Sequence, residues 1–162
     1  EVRDYPQAAA WSVTAATADP PAPQGWIALA SLLEDARAIH SLGVSTTRGS
    51  ALRRALLERA RDAGWFRGYE YLGNFYREGA PDLLIAPDLS RSGRYLLLAF
   101  ARLEDSEARG GIALALARLA ATPGAEEALS KAKGLECLEE AVDCGKVRPG
   151  EEAELRALLS SD

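Results

Sequence analysis

Residues 68–79 read Gly-Tyr-Glu-Tyr-Leu-Gly-Asn-Phe-Tyr-Arg-Glu-Gly, the pattern G-x-x-x-L-G-x-x-Y-x-x-G. Gly68, Leu72, Gly73 and Tyr76 recur at helical spacing, and Gly79 stands where a helix would stop. A glycine inside a helix costs about 1 kcal/mol relative to alanine. Glycine on the packing side of a helix therefore points to a neighbouring helix that passes too close for a β-carbon. That is the packing logic of stacked helical hairpins, and it turns the functional question toward binding and away from catalysis.

The same periodicity governs everything after Gln24. Apolar positions predict helices over about 25–42, 50–63, 65–78, 89–104, 107–121, 123–144 and 150–160. Gly43, Gly64, Gly79 and Gly145 serve as stops, Asp88 and Ser106 as N-caps, and Pro123 and Pro149 as helix starts. No alternating segment rich in Val, Ile and Thr competes, so the chain reads as all-α. Residues 1–24 differ, with Ala, Thr and Pro6, Pro20, Pro21 and Pro23 prominent. They read as an irregular leader with a short extended piece at 11–14. The remainder, 25–162, reads as a single helical domain.

Three stretches repeat the pattern in part. Lys133–Gly145 carries Gly134, Leu135, Leu138, Ala141 and a terminal glycine; Arg53–Gly64 offers Leu56, Leu57, Ala60 and Gly64; Gly93–Leu103 is a looser version. Leu116-Ala117 stands where Leu72-Gly73 stood, an offset of 44 residues. A first helix with L-G-x-x-Y-x-x-G, a loop with Asp88 and a second helix ending A-x-x-x-G resembles the Sel-one-like repeat, a tetratricopeptide-type αα-hairpin. The resemblance covers about 51–145, with its best repeat at 65–104 and a degenerate one at 107–145 that lacks the tyrosine and displaces the glycine to Gly124. It implies a right-handed αα-hairpin solenoid of about six to seven helices, closed by a capping helix at 150–160. Such families supply scaffolds and adaptors. Several members resemble bacterial immunity proteins that bind secreted antibacterial effectors, including phospholipase toxins of the type VI secretion system.

If Gly68, Leu72, Gly73 and Tyr76 face the packing side, Arg67, Tyr69, Glu70, Asn74 and Arg77 lie nearer the free surface, with Trp65 at the head of the helix. These six are the expected partner-binding residues, aromatic and arginine side chains being the types that dominate protein interfaces. A solvated helix face with ordinary i,i+4 pairs is the plainer alternative. Catalytic chemistry finds no constellation. His40 is the lone histidine, and Gly43-Val-Ser45 opens a nucleophile motif that Thr47 fails to complete. Metal-ligand spacings and phosphate-binding loops are missing, and Glu104-Asp105-x-Glu107 lacks the ligand order of a calcium loop. Neither an enzyme, a cofactor nor a metal is expected. A helical hydrolase would have to cluster Glu70, Glu78 or Glu104 in one pocket.

Charge narrows the partners. The net charge is −5, yet residues 48–79 hold seven arginines against four acids, interleaved with aromatics, while 126–162 hold ten acids against five bases. An acidic whole argues against nucleic acid, and the hairpin pattern and its family resemblance make another protein, a secreted effector among the candidates, the expected partner. The longest apolar run, 95–101, is too short to span a bilayer. Cys137 and Cys144 would sit about 10.5 Å apart on one helix, too far to bridge, and read as free thiols. The absence of methionine, position 1 included, fits a leader removed on export. With the repeat resemblance, some of whose bacterial members are periplasmic, this makes the bacterial periplasm or envelope the expected location, and the oligomeric state is left open.

Overall fold

In the computed structural model, residues 4–18, 22–103 and 106–161 are described. Pro20, Pro21 and the acidic pair Glu104-Asp105 lie outside them, as does the side chain of Ser106. Among the described residues there are nine α-helices and no strand: α1 Tyr5–Thr17, α2 Pro23–Leu32, α3 Ala36–Ser41, α4 Thr46–Asp62, α5 Phe66–Glu78, α6 Leu89–Phe100, α7 Ser106–Ala120, α8 Lys131–Asp143 and α9 Pro149–Ser160. A 3-10 turn, Pro81–Leu83, sits between α5 and α6. The all-α expectation holds. Gly43, Gly64, Gly79 and Gly145 all adopt left-handed backbone, with φ of 64°, 77°, 73° and 65°. They are the helix stops the sequence marks. The Asp88 side chain accepts from Arg91 N at 2.8 Å and caps α6 as expected.

Three expected boundaries are corrected. The N-terminal stretch is helical from Tyr5 to Thr17 rather than irregular. Asp4 caps it, accepting from Gln7 N, and Pro6 occupies the first turn, where no amide is needed. Ser12, Thr14 and Thr17 satisfy their hydroxyls on carbonyls one turn back, which makes polar residues acceptable inside a helix. The helix expected at 25–42 is two: Asp35 accepts from Arg37 N and starts α3 afresh. The helix expected from Pro123 begins only at Lys131. Gly124 at φ 83° breaks the direction, and Ser130 supplies the cap.

The chain groups into two compact units, Glu1–Leu72 with Gly79–Ala86, and Gly73–Glu78 with Pro87–Asp162. In the first, α2 packs on α1 and α4 around Ile27, Ala30, Leu33, Leu56, Leu57 and Ala60. A β-carbon at Gly68 would lie 2.3 Å from Arg61 N, so α5 meets the backbone at the end of α4 there. In the second, α7 packs on α6, α8 and α9, burying Leu96, Ile112, Leu116, Leu119 and Leu138. A β-carbon at Gly73 would lie 2.7 Å from Leu96 Cγ, and one at Gly134 would lie 2.5 Å from Ala120 Cβ. The glycines that open the sequence argument are thus close-approach points. Arg109 braces this unit: its guanidinium lies 3.9 Å from the Phe100 ring centroid, pairs with Glu140 and donates to Leu103 O at 3.2 Å.

Candidate functional site

The head of α5 belongs to the first unit. Trp65 N donates to Ala60 O at 3.3 Å, and Trp65 O accepts from Gly68 N at 2.9 Å, which fixes the turn between α4 and α5. The Trp65 and Phe66 rings meet edge to face, with centroids 6.0 Å apart. Over Phe66 lies the Arg67 guanidinium, 5.0 Å from the ring centroid, and Arg67 Nη1 donates to Glu70 Oε2 at 2.7 Å. A cation held by a ring and a carboxylate has surrendered much of its rotamer freedom before any partner arrives. Trp65, Arg67, Tyr69 and Glu70 are all half-buried, presenting part of each side chain to solvent. Three of the expected residues, Trp65, Arg67 and Glu70, are therefore joined through Phe66, which sequence reasoning left out of the set.

Asn74 and Arg77 fall in the second unit's share of α5. Asn74 Oδ1 is buried without a hydrogen-bond partner, while Arg77 reaches Glu78 at 3.6 Å. Tyr76 is buried, stacks on Tyr95 at 5.7 Å and receives the Arg91 guanidinium 4.7 Å from its ring centroid. Its carbonyl accepts from Asp88 N at 2.7 Å. Tyr76 therefore locks the loop and the cap of α6 together, a packing role.

Comparison with protein-family models, curated proteins and solved structures finds no match. The repeat resemblance accordingly rests on the residues that carry it, from Gly68 to Asp88.

A second feature escaped the sequence reading. The first unit holds an open cavity of about 410 Å³ lined by Ala51, Arg54, Ala55 and Glu58 of α4 and by Leu83 and Ile85 of the following loop. Ala80 and Ile85 exchange both backbone hydrogen bonds, at 2.8 and 3.1 Å, so the loop is a closed hairpin. At its tip Leu84 is 95% exposed and sits at φ 57°. A run of Leu83, Leu84 and Ile85 between two prolines was the available signal.

The titratable groups elsewhere are dispersed. His40 is exposed at the end of α3, and no grouping of three or more His, Cys, Asp or Glu that could hold a metal occurs among the described residues. Cys137 and Cys144 are free thiols, and burial pushes the Cys137 thiol up. Glu107 pairs with Lys146 at 2.8 Å. Among the described residues no helix is long and apolar enough to cross a membrane.

Proposed function

We propose that this chain is a non-catalytic protein-binding module, an αα-hairpin solenoid whose half-buried aromatic and arginine groups at the head of α5 seat a partner protein. The observation that carries the reading is the Trp65–Phe66–Arg67–Glu70 cluster, an arginine pre-positioned between a ring and a carboxylate. Tryptophan and arginine in such settings supply most of the energy of protein interfaces. The sharpest form is an exported bacterial immunity protein that covers a secreted antibacterial effector and blocks its active site or its movement. An adaptor of an envelope or secretion complex would use the same cluster. A hydrolase built on Glu70 and Glu78 has less support, since Arg67 and Arg77 engage them separately.

Immobilised on a resin, the chain should retain a protein from a lysate of its source organism that an Arg67→Glu, Trp65→Ala double variant releases. Recovery of no protein, together with tight binding of lipid or RNA, would overturn the proposal.

A further inference from the structure

We infer that the groove between α4 and the 80–85 hairpin is a docking site for an acidic, amphipathic segment of a partner protein. It rests on the protein-binding reading above, but not on the α5 cluster. The groove's lining is mixed: Ala51 and Ala55 on α4 face Leu83 and Ile85 opposite, and beside the alanines Arg54 and Glu58 neutralise each other in an ion pair. Its volume of about 410 Å³ is room for bulky side chains that small alanines leave unfilled.

Charge says what those side chains are attached to. Arg48 stands three residues before Ala51, and Arg59 four residues after Ala55, so both lie on the groove's side of the helix, one turn beyond either end. Both are exposed, and neither side chain makes an ion pair or hydrogen bond among the described residues. The acids nearby do not answer them: Glu58 receives Arg54 at 3.0 Å, Asp62 receives Arg61 at 2.7 Å, and one oxygen of Asp82 is buried in the loop. Eleven residues of helix put the two arginines about 16 Å apart along the axis. The complementary occupant carries two carboxylates at that separation and places apolar side chains between them.

Leu84 adds a second line of argument. A non-glycine residue with left-handed backbone is strained, and a leucine side chain in open water gains nothing from burial. The hairpin nonetheless holds Leu84 between the two lining residues Leu83 and Ile85. Folding does not call for leucine there; a partner draped over the hairpin tip would.

A phage-displayed library of random 16-residue peptides, selected against the whole chain, tests this. The expected winners carry Asp or Glu on both sides of an apolar pair, and as labelled peptides they bind less tightly as salt rises. Ala55→Arg fills the groove while keeping its positive charge, so its expected loss of binding reports occlusion. Arg48→Glu and Arg59→Glu should each weaken binding about tenfold. Leu84→Gly should weaken it without lowering the thermal midpoint, and Arg67→Ala should leave it unchanged. Selection of no peptide, winners that are basic or neutral, or binding that survives Ala55→Arg would overturn the inference. So would a concentration-dependent dimer in sedimentation velocity that Ala55→Arg abolishes, because the occupant would then be a second copy of the chain.

Discussion

Gly68 and Gly73 lie on one helix and meet different obstacles. The nearest atoms to a β-carbon at 68 are backbone, Arg61 N at 2.3 Å and Ala60 C at 2.6 Å, and backbone cannot step aside without moving α4. At 73 the obstacle is the Leu96 side chain, at 2.7 Å from Cγ, which can change rotamer within a buried site. Alanine gains about 1 kcal/mol of helix propensity at either place, and overpacking typically costs 1–3 kcal/mol or more. Gly68→Ala is therefore expected to destabilise by about 3 kcal/mol, and Gly73→Ala by about 1 kcal/mol. Urea midpoints of the two variants check the order; equal midpoints would contradict the backbone argument. Ser92 runs the other way. It is fully buried in α6 and its hydroxyl has no partner. An unmet buried hydroxyl carries a desolvation cost of about 1–3 kcal/mol, so Ser92→Ala should raise the stability by about 1 kcal/mol. A lowered midpoint would reveal a partner for that oxygen.

Among the elements, the short helix α3 shows what its cap does. Asp35 accepts from Tyr5 Oη at 2.7 Å and from Arg37 N at 2.8 Å, so one carboxylate starts α3 and ties the head of α1 to it. The Tyr5 hydroxyl first, and then the Arg37 amide, hold its carboxyl below the usual carboxylate range. A lowered folded-state pKa means that the stabilisation is present above the unfolded value, near pH 4, and is lost as pH falls through the folded value. Amide exchange in α1 should therefore accelerate first as the solution is taken below about pH 4. Tyr5→Phe should move the Asp35 carboxyl back up toward its ordinary range in an NMR titration; an unmoved titration would assign the shift to the Arg37 amide alone. Helix α1 was illegible in the sequence because its evidence is not periodic. Ala, Thr and Pro dominate the stretch, and what makes it helical is Asp4 at the cap, Pro6 in the first turn and hydroxyls folded back on the backbone. The glycine stops were legible because left-handed backbone is a local requirement that one residue meets. The groove was not, because Ala51 and Leu83 are brought together by folding and share no spacing in the chain. On α8 and at its C-terminal cap, the two thiols differ in the same local way. Cys137 is buried and pushed up by desolvation while Cys144 is half-exposed, so Ellman's reagent should label one thiol in the native chain and two after unfolding.

For the molecule as a whole, the question raised by the sequence was whether its arginine-rich, aromatic middle could grip a polyanion. Ion pairing answers through the acids that accompany the arginines. Arg53 pairs with Glu34, Arg54 with Glu58, Arg61 with Asp62, Arg67 with Glu70 and Arg77 with Glu78. Of the arginines between 48 and 79, Arg48 and Arg59 are exposed and make no such pair among the described residues. Each phosphate neutralised adds about 0.9 to the salt slope of duplex binding, so two arginines support a slope near 2 and little affinity at physiological salt. The net charge of −5 opposes the approach as well. A mobility-shift titration with a 30-nucleotide RNA or a DNA duplex at 150 mM salt should therefore show no complex in the micromolar range. Two cations are enough for a short acidic segment that also inserts apolar side chains, since burial then supplies the larger share of the binding energy. A nucleic acid has no such side chains to insert into the α4 groove. Submicromolar RNA binding with a steep salt slope would show that the five ion pairs open for a polyanion, and would move the function from protein to nucleic-acid recognition.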